Sequence, residues 1–335
     1  MSRPRVLVLA DTPGWAWDWK ARQYVRWLSD EFDIALAYHA AVPPLHTFDL
    51  VHLFEVSQLR AVPNEYDRPV IAGLTAMVWW TWGETRMRAW ASRCAALHGN
   101  SIMLVQQLRQ FHEHVYYTPN GVDPEFWSRV SNVERNLSQP LRACHVGKPN
   151  PRKGSALIVE ACRLANVQVL MCQRTSQIRY TPEQIREFYR NTDVQISASD
   201  MDGTPNPMLE AASMSNALIS TPIGNMPEFI QHNHNGFLVG QRIAPRPFRP
   251  WVAALVVPNP NELPEFAQWP DDVIRERRSA LVSQIRRSVE WLMDNRHACV
   301  EIGRNARHTV LDAWTWERQV AHVAEMWRDV LSRSR

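Results

Sequence analysis

Residues 199–220, SDMDGTPNPMLEAASMSNALIS, decide how this 335-residue chain is read. Two carboxylates, Asp202 and Glu210, flank a turn of Gly203, Thr204, Pro205 and Asn206. DVQISAS (193–199) precedes the turn, and ALISTPIG (217–224) follows the helix signal. Both are apolar enough to be buried strands. Asn206 is a good N-cap and Pro207 a good first helical residue, so a helix is predicted to start there. Glu210 then falls in its first turn, at the positive end of the helix dipole. Such a turn suits a nucleotide sugar: amides near the phosphates, one acid for sugar hydroxyls, the other for ribose hydroxyls. An ordinary capped helix explains the same local features.

Strand and helix signals alternate on both sides of this stretch. RVLVLAD (5–11), DIALAYH (33–39), FDLVHLFEV (48–56), RPVIAGLTA (68–76) and NSIMLV (100–105) are short apolar runs at βα spacing. HVYYTPNGVDPEFW (114–127) adds a strand and a Pro-Asn-Gly turn, and the polar SRVSNVERNLSQP (128–140) reads as a linker. The alternation restarts with LRACHVG (141–147), KGSALIVEACRLA (153–165), VQVLMCQ (167–173) and TPEQIREFYRNT (181–192). Repeated alternation implies parallel sheets, so the fold class is α/β with two doubly wound domains facing a cleft. Ligands of such sheets bind beyond the carboxyl ends of the strands. The Pro-rich segment 241–270 reads as a long loop or insertion, and the chain from 273 onward as helix.

Composition narrows the class. The chain is long for a single core, and no apolar run reaches the roughly 18 residues that span a bilayer. After MSRPR the chain enters VLVLAD at once, which is too short for a signal segment and reads as a first strand. Five scattered cysteines form no CxxC, zinc spacing or disulfide framework, so a reducing, cytoplasmic setting is expected. A net charge of +3 is weak support for a polyanionic partner. Of 37 basic residues only Lys20, Lys148 and Lys153 are lysine. Two of these flank the loop of HVGKPNPRKGSALIVEA (145–161), between a strand ending at Gly147 and a helix starting near Gly154. A diphosphate clamp and a solvated basic loop are both consistent with that placement. A Walker A order is absent.

These residues resemble the donor domain of the retaining family-4 glycosyltransferases of the GT-B fold. Their motif E-G-x-P-N-x-x-x-E-A is similar to Asp202, Gly203, Pro205, Asn206, Glu210 and Ala211 here. STPIGNMPEFIQHNHNGFLV (220–239) resembles the family's G-x-x-E-x-I … N-G-x-L-V segment, TPNGVDPEFW (118–127) its PNGVD element, and WTWERQVAHVAEMWRDVL (314–331) its closing helix. The resemblance implies an N-terminal acceptor domain (1–137), a nucleotide-sugar donor domain (138–310) and a C-terminal helix (311–335) packing back on the first. It implies that Lys148 and Lys153 neutralise the departing diphosphate, that Glu210 binds the ribose and that Asp202 holds a hydroxyl of the transferred sugar. Gly147 shapes the phosphate loop, amides of Gly203, Thr204 and Asn206 beside Pro205 orient the sugar phosphate, and Gly14 allows close approach from the first domain. Two positions depart from the pattern. The first acid is Asp, one methylene shorter than Glu. Thr75 stands where a histidine is often found. Neither a cofactor nor a metal is expected, although Asp200-Met201-Asp202 spells D-x-D.

The acceptor is read from the first domain. DTPGWAWDWK (11–20) and AMVWWTWGET (76–85) are crowded with tryptophan, whose flat rings suit sugar faces or unpaired bases as well as loop packing. Asp11, Trp15, Trp17, Asp18, Thr75, Trp80 and Glu84 are therefore the candidate acceptor contacts. The expected reaction is retaining transfer from a nucleotide-diphosphate sugar to a hydroxyl of a saccharide, lipid-linked glycan or small molecule. A hydroxylated nucleic-acid base as acceptor, a nucleotide-sugar epimerase and a non-catalytic sugar-nucleotide module are the alternatives.

Overall fold

The computed structural model describes residues 3–75, 82–129, 137–149, 151–173, 178, 180–200, 202–240 and 271–334. The linker reading falls partly outside them. The readings of Trp80 and of segment 241–270 fall wholly outside. The chain forms two compact units: one runs to Gly121 and resumes at Trp316, and the other spans Val122–Thr315. The first and last residues of the second unit lie side by side, since Val122 N–H donates to the Trp314 carbonyl at 3.0 Å. The changes of unit thus come at Gly121/Val122 and Thr315/Trp316, against the sequence-based 137 and 310.

In the first unit, β1 (Arg5–Ala10), β2 (Asp33–Tyr38), β3 (Leu50–Leu53), β4 (Val70–Leu74), β5 (Ala96–Gly99) and β6 (Val115–Tyr117) form a parallel sheet ordered β2-β1-β3-β4-β5-β6. Helices α1 (Ala16–Leu28), α2 (Glu84–Ala91) and α3 (Ile102–Leu108) connect the strands. The run NSIMLV is helix here, not strand: the Ser101 hydroxyl accepts from Leu104 N–H and caps α3. The strand before it is the less apolar Ala96–Gly99.

The second unit holds β7 (Arg142–Gly147), β8 (Gln168–Gln173), β9 (Val194–Ser197), β10 (Ala217–Ser220) and β11 (Phe237–Leu238), all parallel, in the order β11-β10-β9-β7-β8. Between them run α4 (Ser155–Leu164), α5 (Pro182–Arg190), α6 (Asn206–Ser213) and α7 (Met226–Phe229), followed by α8 (Asp271–Asp294) and α9 (Arg296–Ala313). One apolar layer packs α4, α8 and α9 on the sheet through Ile158, Leu281, Ile285 and Ile302. The other packs α5 and α6 through Ile185, Met208 and Leu209.

The last helix, α10 (Trp316–Arg333), is part of the first unit. Its Trp327 is fully buried, with Phe32 and Tyr24 edge-on at 5.1 and 5.9 Å, and its indole N–H donates to His52 Nδ1 at 3.0 Å. Arg328 grips Glu31 with two hydrogen bonds. Among the described residues no helix is long and apolar enough to cross a membrane.

Candidate active site

Strand order sets where each unit can bind. In the second unit the chain steps from β7 to β8 on one side and then places β9 on the other. The loops after β7 and β9 therefore diverge at a topological switch point, where doubly wound sheets take their ligands. The β7 loop carries Lys148 and Lys153, and the β9 loop carries Asp200 and Asp202.

The two loops are fastened together. Arg152 carbonyl accepts from Asp200 N–H at 2.9 Å and from the Ser199 hydroxyl at 3.3 Å. Gly154 is left-handed at φ +64°, and a Cβ there would lie 2.3 Å from the Ala198 carbonyl oxygen, so only glycine allows this approach. Lys153 Nζ then reaches Asp202 Oδ2 at 2.5 Å, both side chains being mostly buried. Lys148 follows Gly147 and is exposed. Beneath the loop, His145 Nδ1 lies 3.0 Å from the Ile196 carbonyl and Nε2 lies 3.2 Å from the Ser155 hydroxyl. Burial lowers the affinity of His145 for a second proton, so Nδ1–H donates to the carbonyl and Nε2 accepts from the serine.

The turn before α6 is narrower than expected. Pro205 has φ −74° and ψ 83°, close to an inverse γ-turn, and Asn206 N–H bonds back to the Thr204 carbonyl at 2.9 Å. The Asn206 amide is thus spent inside the turn and Pro205 has none. Asn206 is the first helical residue rather than the N-cap, and no side chain caps this end. Gly203 is buried, and its carbonyl accepts from Asn225 N–H at 3.1 Å. Gly224, at φ +59°, lets the backbone pass there, since a Cβ would meet the Gly203 oxygen at 2.3 Å. One turn along α6, Glu210 Oε2 accepts from the Tyr189 hydroxyl at 3.0 Å. Lys153, Asp202, Gly203 and Glu210 therefore belong to one loop-and-helix system.

Asp200, which the sequence raised only as half of a metal tripeptide, lies in the loop after β9 at the switch point. It is buried, its Oδ1 has no hydrogen-bond partner, and burial pushes its carboxyl up to about 7 against the pull of Arg152 and Lys153. Among the described residues no group of three or more His, Cys, Asp or Glu is placed to hold a metal ion.

The first unit switches between β1 and β3. Gly14, after β1, has φ +78°, open space where a Cβ would sit, and an N–H that donates to Asp18 Oδ2 at 2.8 Å. Asp18 is engaged within its own unit. Its side chain is buried and accepts from Gly14, Arg22 and Tyr38, which together outweigh burial and lower its pKa. Trp17 and Thr75 are joined, indole N–H to hydroxyl at 3.2 Å, with Trp17 stacked on Phe54. Trp15 is exposed. Glu84 is exposed and paired with Arg88 one turn along α2. Asp11 keeps a buried Oδ1 without a hydrogen-bond partner.

After β3 comes Glu55, which the sequence reading missed. Its carboxyl is buried, takes backbone hydrogen bonds from Val56 and Thr75, and is pushed up to about 8 by burial. An acid two residues past a parallel strand was the available signal. Lys20 is buried as well, donates to the Thr118 carbonyl at 3.2 Å and is driven down to about 7 by burial.

The whole chain superposes on sucrose-phosphate synthase from Thermosynechococcus elongatus with a TM-score of 0.71 at 12% identity, covering 99% of this chain and 100% of that one. It superposes on HepE of Anabaena, solved with UDP and glucose, with a TM-score of 0.66 at 13% identity over 98% and 100%. The fold is that of the GT-B glycosyltransferases. Residues 126–248, which hold both loops of the second unit's switch point, match the family model described as Glycosyl transferases group 1. The amylovoran biosynthesis glycosyltransferase AmsK of Erwinia amylovora is 25% identical to this chain, the match covering 38% of each protein. The chain therefore aligns with little more than a third of that relative.

Proposed function

We propose that this chain is a retaining glycosyltransferase that moves a sugar from a nucleotide-diphosphate sugar to an acceptor hydroxyl. One observation carries the reading: Lys153 and Asp202, a cation for a diphosphate and an acceptor for a sugar hydroxyl, meet at the switch point of the second unit. The family match over the same residues and the UDP and glucose held by HepE support it, and make UDP-glucose the first donor to test.

In this reading Lys153 and Lys148 stabilise the charge that grows on the diphosphate as the bond from sugar C1 to phosphate oxygen breaks. Asp202 holds a sugar hydroxyl, and Glu210 the ribose. The acceptor oxygen bonds to C1 on the face the phosphate leaves, and its proton passes to the departing phosphate. No metal takes part, so EDTA leaves the rate unchanged. The acceptor is a saccharide, lipid-linked glycan or small molecule. Asp11, Trp15, Trp17, Asp18, Thr75, Trp80 and Glu84 are its candidate contacts, and among the described ones Trp15 is an exposed aromatic. Five buried free thiols agree with a reducing, cytoplasmic setting.

The test is a thermal-shift screen of UDP-, GDP-, ADP- and TDP-sugars, because stabilisation grows with ligand concentration over Kd. One donor is expected to stand out, and its product to keep the donor's anomeric configuration by NMR. No shift with any donor overturns the reading. An inverted product overturns the mechanism alone. Conversion of the donor without an acceptor points to the epimerase alternative.

A further inference from the structure

We propose that Tyr189 is a positioning residue. It sets the Glu210 carboxylate for the ribose diol and so makes the site prefer ribonucleotides to deoxyribonucleotides. The proposal rests on the donor reading above and adds to it a residue outside the recognised motif.

Tyr189 lies in the last turn of α5, twenty-one residues before Glu210, and is fully buried. Its hydroxyl donates to Glu210 Oε2 at 3.0 Å. Burial raises the phenol far above its ordinary range, so the group stays protonated and keeps its O–H for the carboxylate. A hydrogen bond from a neutral donor to a charged acceptor, here part-buried, is among the stronger kinds.

The ring has little freedom to turn away. It belongs to the same buried apolar cluster as Cys144, Ile185, Met208 and Met214, with Trp127 edge-on at 5.8 Å. Its own carbonyl accepts from Arg129 Nη2 at 2.8 Å, and Arg129 also binds the carbonyls of Met214 and Thr192. The end of α5 and the end of α6 are thus tied to one guanidinium. A helical Glu otherwise samples several rotamers, and selecting one on binding lowers affinity. Here the selection is made before the ligand arrives. A vicinal diol offers two hydroxyl donors to one carboxylate and depends on its orientation. A deoxyribose, with one hydroxyl fewer, depends on it less.

The experiment measures calorimetric Kd for the full chain with UDP, GDP and ADP and their 2′-deoxy counterparts. The parent, Tyr189→Phe, Glu210→Gln and the double variant are compared. The parent is expected to bind one ribonucleotide and to prefer it over its deoxy form. Glu210→Gln should abolish that preference. Tyr189→Phe, which keeps the ring in its packing, should weaken the ribonucleotide about tenfold and the deoxy form hardly at all. In the Glu210→Gln background, Tyr189→Phe should cost nothing further. Equal weakening of both nucleotides, or a further loss in the double variant, makes Tyr189 a packing residue and overturns the proposal. An unchanged preference in Tyr189→Phe does the same. A parent that binds no diphosphate overturns the donor reading itself. A parent that prefers ribonucleotides, with Glu210→Gln unaffected, leaves the donor reading standing and removes both residues from ribose recognition.

Discussion

Lys153 and Asp202 neutralise each other across the switch point, Nζ to Oδ2 at 2.5 Å. In the proposed reaction each has another partner, the diphosphate for the lysine and a sugar hydroxyl for the aspartate. A sugar nucleotide can replace both halves of the pair, whereas a bare nucleoside diphosphate takes the lysine and strands the carboxylate. Asp202→Asn is therefore expected to bind bare diphosphate more tightly, by up to about fivefold given what partly exposed ion pairs contribute. The same variant should transfer sugar more slowly. In Lys153→Met the Asp202→Asn gain should disappear. Calorimetric titrations of the four proteins with UDP and the other diphosphates check this.

Two glycines hold the loops in place. Gly154→Ala and Gly224→Ala each put a Cβ 2.3 Å from a carbonyl oxygen at a positive φ. Backbone strain of this kind costs about 1–3 kcal/mol before the clash is counted. Both variants should melt earlier and lose most of the donor-induced thermal shift. A donor shift of parental size in either variant would contradict the fit.

Two buried groups of the first unit give opposite pH slopes. Glu55, held up at about 8, keeps a proton that the unfolded chain loses near 4.5, so its contribution to stability falls as pH rises from 4.5 to 8. Lys20, held down at about 7, lacks a proton that the unfolded chain binds up to 10.5, so stability falls as pH drops from 10.5 to 7. One proton gives a slope of at most about 1.4 kcal/mol per pH unit. Glu55→Gln should flatten the urea midpoint curve below pH 8, and Lys20→Met should flatten it above pH 7.

Trp327 joins the last helix to the first unit. Trp327→Ala removes a fully buried indole, its hydrogen bond to His52 and its contacts with Tyr24 and Phe32, and should cost about 3–5 kcal/mol. Amide exchange should accelerate in β1 and β3 and in α10 well before it does in β7 and β9.

The repeating strand and helix periods were legible because they are local: apolar runs of parallel strands and amphipathic helices announce themselves residue by residue. The run NSIMLV misled, since its composition suits a strand, whereas Ser101 caps a helix that begins at Ile102. Lys153, Asp202 and Glu210 were singled out by their spacing and family motif, and their donor-binding roles stay a proposal. Tyr189, Glu55 and the buried state of Asp200 were not. Their roles depend on burial and on partners that the sequence does not place beside them.

By itself the sequence determined two α/β halves and the closing helix, and marked the candidate loops of the second half, because βα periodicity, capping signals and short motifs are local properties. Only the tertiary structure decided which groups those chemical residues meet. It turned Asp18 inward onto Gly14, spent the Asn206 amide within its own turn, closed Lys153 on Asp202 and placed the Tyr189 hydroxyl on Glu210. The first two contacts are short-range and set by loop geometry; the last two come from strand order and sheet packing, which join residues 49 and 21 positions apart in the chain.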